Sequence, residues 1–147
     1  MASLAEQIAD AVYDSLHGQI AAVGTRVYRG RVDPISREEC PCINVRLTDE
    51  TTSNAEIDAS TEENELVIVV DVHVAATQAQ AWETVADAVV VSAHALIRAG
   101  TYPTDTQPPM RMGRSWNAES GDGTPARVSL PYRFQYLNLT AGLDLPG

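Results

Sequence analysis

The sequence predicts a single α+β domain: a mixed, mostly antiparallel sheet of about five strands with two main helices on one face. Two observations carry this. Apolar residues recur every three or four positions near 4–16 and 82–97, as on one side of a helix, but every second position around 43–47, 65–75 and 126–138, as on one side of a strand. The order of elements, with helices and strands grouped, departs from the strict strand–helix alternation of a parallel α/β sheet. With 147 residues the chain has room for one domain, spanning about 1–138, and for a flexible carboxyl tail over 139–147.

The elements follow in order. Ser3 and Glu6 form a capping box, and Leu4, Ile8, Val12 and Leu16 then recur at helical spacing up to Gly18, predicting a helix over 3–17. Residues 25–32 read as a strand that Asp33-Pro34 turns. Ile43, Val45 and Leu47 alternate with Asn44, Arg46 and Thr48, a strand with one buried face. Residues 49–64 carry Asp49, Glu50, Glu56, Asp58, Glu62 and Glu63 with no basic residue among Thr, Ser and Asn, and read as a long acidic loop, either a solvated linker or an interaction loop.

Residues 65–75 predict the longest strand, with Leu66, Ile68, Val70, Val72 and Val74 on one face and Val67, Val69, Asp71 and His73 on the other. Thr77, with Gln80 three residues on, is the expected cap of the second helix. Its stripe runs through Trp82, Val85, Ala86, Val89, Ala93, Leu96 and Ile97 to Gly100. A Thr- and Pro-rich connector over 101–109 leads to strands over 110–117 and 126–138, joined through Ser120-Gly-Asp-Gly123 as a hairpin; Pro131 suggests an edge or a bulge.

Geometry adds a constraint. Five strands about 4.8 Å apart make a sheet roughly 20 Å wide, and two helices at about 10 Å each cover one of its faces. Val67 and Val69 point to the other face, so another subunit or the long loop is expected over them.

Ten arginines, no lysine and twenty acids give a net charge of −10, which opposes general affinity for DNA phosphates or anionic lipid. No apolar run approaches the roughly 20 residues of a membrane span, and residues 1–17 lack the basic start of a secretory signal, so a cytoplasmic chain is expected. The arginines gather early, at Arg26, Arg29, Arg31 and Arg37, and late, at Arg111, Arg114, Arg127 and Arg133. They suit either solvated strand faces with local ion pairs or an interface with an acidic partner.

Little of the sequence suggests chemistry. Cys40 and Cys42 could supply half a zinc site, but His17, His73 and His94 lie in separate elements, and two buried thiols are the simpler reading. Asp71 and His73 share a strand face without an evident nucleophile. Glu83, Asp87, His94 and Arg98 fall on the polar side of the second helix, and 120–123 matches no phosphate loop. Asn138-Leu-Thr140 matches a glycosylation sequon without a secretory signal. Neither a catalytic residue nor a cofactor or metal site is expected.

The element order, together with Arg26-Val-Tyr-Arg-Gly-Arg-Val32, Pro41-Cys-Ile-Asn-Val45 and Leu130-Pro-Tyr-Arg-Phe-Gln-Tyr136, resembles the tail terminator family of long-tailed bacteriophages, the lambda U-protein-like tail-completion proteins, over about residues 4–138. The resemblance implies a homo-hexameric ring without catalysis that caps the tail tube, stops its polymerisation and meets the head-completion protein. The partners would be the chain itself, the major tail tube protein and the connector, with DNA passing through unbound. The location would be the head-proximal end of the tail in the virion and, during assembly, the host cytoplasm. Cys-Pro-Cys at 40–42 and the longer carboxyl tail depart from the pattern.

For an intersubunit surface the candidates are Arg26, Arg29, Arg31, Arg46, Arg114 and Arg133, whose guanidiniums suit carboxylates next door, together with Val67 and Val69. For the ring lumen or tube-facing surface they are Glu50, Glu56, Asp58, Glu62 and Glu63, since a negative lining repels phosphates and lets DNA slide. The alternatives are a head-side adaptor or stopper and, more remotely, a small hydrolase built around His73.

Overall fold

The computed structural model describes residues 3–54, 61–75, 81–118 and 125–139. Its elements are α1 (Leu4–Leu16), β1 (Val27–Arg29), β2 (Cys42–Asn54), β3 (Thr61–Val74), α2 (Trp82–Ala99), β4 (Met110–Arg111), β5 (Ser115–Asn117) and β6 (Ala126–Leu139). They form one open α+β domain, a six-stranded sheet in the order β1-β2-β3-β6-β4, with β5 following β4 along the outer edge of β6. Only β1 runs parallel to its neighbour; the other pairings are antiparallel.

Both helices pack on one sheet face. In α1 the Ser3 side chain accepts the Glu6 amide at 3.2 Å, one half of the expected capping box, and Leu4, Ile8, Val12 and Leu16 are buried. α2 buries Ala86, Val89, Val90, Ala93 and Ile97. Beneath them lie Ile43 and Val45 of β2, Leu66 to Val74 at every second position of β3, and Val128 to Tyr136 at every second position of β6. Tyr132 and Phe134 are the largest fully buried side chains, and Tyr102 meets the Phe134 ring edge-on at 5.1 Å.

Several expectations are corrected. The acidic segment is not a loop: β2 runs to Asn54 and β3 begins at Thr61, so most of 49–64 is a long hairpin paired through Asn54 and Glu62. Here β2 is the outer of three strands, since β6 pairs with β3 as far as Leu139, and Leu47 to Thr52 of β2 are exposed on both faces. Thr, Ser and Glu then replace the apolar alternation while the ladder still pairs the backbone. Glu56 and Asp58 lie outside the described residues. The hairpin continues the sheet rather than folding across its second face.

β1 is only three residues long, because Gly30 turns the chain at φ 61. The expected single strand over 110–117 is two pieces, broken where Gly113 adopts φ 95. α2 begins at Trp82, with Ala81 as a cap lacking a side-chain bond; Thr77 and Gln80 lie outside the described residues, as do 120–123 and 140–147.

Pro131 lies in an interior strand, neither at an edge nor at a bulge in its β3 pairing. Its carbonyl accepts the Met112 amide at 2.8 Å, on the side away from β3. Because N and O of one strand residue point the same way, its missing N–H faces the gap between β4 and β5, and the β3 ladder loses nothing.

Candidate functional site

The second sheet face carries the polar side chains. Arg46 of β2 donates through Nε to Oδ2 of Asp71 at 2.6 Å, and Ser129 of β6 donates to Oδ1 at 2.6 Å. Three adjacent strands are thereby tied through one carboxylate that is 3% exposed. Val69 lies in register between Arg46 and Pro131 and is buried, while Val67 is half-buried.

One end of this face is covered by residues 30–41. Asn44, 5% exposed, accepts the Arg31 amide with its side-chain oxygen and donates its side-chain N–H to the Arg31 carbonyl, both at 3.0 Å. Its amide thus replaces a neighbouring strand. The Arg31 guanidinium grips Glu39 with two bonds of 2.5 and 3.0 Å and lies 4.7 Å from the centre of the Tyr28 ring. The Arg31 bond, with help from Ser36, lowers the Glu39 carboxyl to about 2. Cys42 is buried below, and its thiol is pushed upward by its hydrogen bond with Cys40 and by burial, so a reactive thiolate is disfavoured. Among the described residues no three His, Cys, Asp or Glu side chains gather as a metal site, and no helix is long and apolar enough to cross a membrane.

The remaining candidate arginines also have partners within the chain. Arg29 pins β1 to α1 through Glu6, at 2.8 Å, and Asp10. Arg26 donates to the carbonyls of Pro41 and Ala22 at 3.1 and 2.8 Å. Arg114 meets Asp87 at 3.1 Å and lies over Trp116, which contacts Trp82 on α2. Arg133 reaches the Met110 sulfur at 3.1 Å. Of the acidic candidates, Glu50 accepts from the Tyr136 hydroxyl, Glu62 and Glu63 stand in β3, and the Glu63 side chain is exposed.

A basic cleft, absent from the sequence reading, forms where α2 passes the β4 edge. His94, Arg98, Met110, Arg111, Arg133 and Gln135 line a depression of about 570 Å³ that, among the described residues, contains no carboxylate. Among the described residues, Arg98, Arg111 and Arg133 form no ion pair, unlike Arg29, Arg31, Arg46 and Arg114. Burial, then Arg111 and Arg98, lower the pKa of His94, and its Nδ1 is hydrogen-bonded to the Tyr132 hydroxyl at 2.8 Å. Burial raises Tyr132 to about 12. Helical spacing does place His94 and Arg98 together in the sequence; what it cannot show is that β4 brings Arg111 and Arg133 to the same flank.

Burial, opposed by Asp71, also lowers the pKa of His73. Both oxygens of Asp71 are already committed to Arg46 and Ser129.

No family model matches the chain, and no curated protein matches it. Thirty-one chains of solved structures do. One, from the virion of a native gene transfer agent (GTA) particle, is similar with a TM-score of 0.58 at 17% identity, covering 92% of this chain and 98% of that chain. The likeness at this identity is one of fold.

Proposed function

We propose that this chain is a non-catalytic structural protein of a phage-like virion, a tail terminator. In this reading a homo-hexameric ring caps the tail tube at its head-proximal end, stops tube polymerisation and offers the surface to which the head-completion protein joins. DNA passes through without specific binding. The carrying observation is the end-to-end correspondence, over 92% of this chain and 98% of the other, with a chain from a gene transfer agent virion. Two features support it. The acidic β2–β3 hairpin carries Glu50, Glu62 and Glu63, and a lumen or tube-facing surface lined by them would repel phosphates. The paired state of Asp71 disfavours the proton relay that a hydrolase around His73 would need.

The test is mass by light scattering across a wide concentration range, with and without purified tail tube protein. A hexamer, alone or induced by the tube, is expected. A monomer or dimer indifferent to tube protein overturns the reading, and a ring that binds only connector protein replaces it with a head-side adaptor.

A further inference from the structure

The basic cleft and the acidic hairpin stand at opposite edges of one sheet. Order β1-β2-β3-β6-β4 sets β2 three strand spacings from β4, about 14 Å. β1 covers β2 only at Ile43 to Val45, so among the described residues the outer edge of β2 from Arg46 to Asn54 has no strand partner. An unpaired edge of this length is a template for another chain. It carries Asp49 and Glu50, and no Arg or Lys occurs between Arg46 and Arg98.

At the other edge, three guanidiniums that among the described residues form no ion pair line a cleft to which no described carboxylate contributes, in a chain of net charge −10. Two such chains repel at long range, so a contact that sets carboxylate against guanidinium is favoured over one that does not. Within one chain the β2 edge points away from the cleft, so its Asp49 can meet the cleft only of a different copy.

We infer that the β4-side cleft of Arg98, Arg111 and Arg133 receives the acidic outer edge of β2, around Asp49, from a second copy of this chain. The contact is head-to-tail: unlike surfaces meet, and repetition closes a ring if the rotation per copy permits. The inference rests on the ring reading above and assigns that reading an interface. Asp49 is exposed and among the described residues forms no ion pair, and Arg98 and Arg111 are exposed, so charge can be reversed at all three without opening the core.

The experiment is sedimentation velocity of the full chain at low and high salt, over a wide concentration range and, where the tube is required, with tube protein. Asp49→Arg alone and Arg98→Asp/Arg111→Asp alone should each weaken self-association at least tenfold. The triple variant, with charges exchanged, should recover to within about threefold of the original. Circular dichroism and the melting midpoint of each variant confirm folding. Rings that form equally well in the Arg98→Asp/Arg111→Asp variant overturn the inference while leaving the ring reading intact. Absence of any ring from the unaltered chain with tube protein defeats the ring reading first. Variants that lose binding of a DNA duplex but assemble normally overturn the inference in favour of a phosphate site.

Discussion

Arg46 and Asp71 meet diagonally across β2 and β3 with Nε 2.6 Å from Oδ2, yet their surroundings differ: the Arg46 side chain is 41% exposed and that of Asp71 4%. The asymmetry decides which partner matters. Arg46→Ala leaves a desolvated carboxylate held by Ser129 alone, and is expected to cost about 1–3 kcal/mol. Asp71→Leu removes the charge that needs compensation and lets the Arg46 head turn to water, so Arg46→Ala should add little once Asp71 is gone. A double-mutant cycle by urea unfolding should give a coupling of about 1–2 kcal/mol. Additive losses would show that the pair contributes nothing of its own.

Asn44 and Arg31 lead to a second prediction. Asn44→Ala leaves the Arg31 amide and carbonyl without their two bonds, and a cost of about 1–2 kcal/mol is expected. Asn44→Asp keeps an acceptor for the amide but sets a carboxylate against the Arg31 carbonyl, so it should be no better than Ala. Hydrogen exchange at the Arg31 amide is the direct readout. It should accelerate in both variants, ahead of amides in β3, and unchanged exchange would mean that the segment over the sheet is held elsewhere.

The histidines give the acid limb of stability. His73 and His94 both have folded pKa values below the free value of about 6.5, burial being the first cause for each. The unfolded chain therefore binds protons first as pH falls. The stabilisation is fully present above about pH 6.5 and is lost as pH drops toward the folded values. Around His73 the Asp71 charge opposes this shift while Arg127, Arg31 and Arg46 add to it; around His94, Arg111 and Arg98 add to it. NMR titration of a dilute, monomeric sample should place both midpoints below 6.5, and His94→Gln should flatten the loss of stability between pH 6.5 and 5. A His94 midpoint at or above 6.5 would contradict the uncompensated positive charge of the cleft.

The parts of this architecture that repeat in sequence were readable there. The period of two in Leu66, Ile68, Val70, Val72 and Val74 and the four-residue spacing from Leu4 to Leu16 report burial on one face, and both elements stand where those patterns put them. The β2 half of the hairpin was not readable, because from Leu47 to Thr52 both of its faces are exposed and no apolar alternation betrays it. Only its partner strand, from Glu62 to Leu66, fixes its conformation. The same limit applied to the arginines. For Arg29 and Arg31 the sequence left open local ion pairs or an acidic partner, because Glu6, Asp10 and Glu39 are 8 to 23 positions away, whereas Arg98 and Arg111 gained interest only once β4 stood beside α2.

Gly100 and Tyr102 supply a test of packing at the end of α2. Gly100 has φ −65, which any residue can adopt, so its value is spatial: a Cβ there would lie 2.9 Å from the Tyr102 hydroxyl oxygen and 3.3 Å from the Ile97 carbonyl. That hydroxyl donates to the same carbonyl at 2.5 Å, satisfying one of the open acceptors of the helix end, while its ring rests on Phe134. Gly100→Ala should therefore push Tyr102 off both partners and cost about 1–3 kcal/mol, although alanine is otherwise the better residue beside a helix. Tyr102→Phe alone forfeits only the hydroxyl bond, at about 1 kcal/mol. In the Tyr102→Phe background the obstructing oxygen is gone, so the further cost of Gly100→Ala should fall to less than half its value in the original chain. Equal costs in the two backgrounds, by thermal or urea unfolding, would show that the hydroxyl is not what excludes a side chain at position 100.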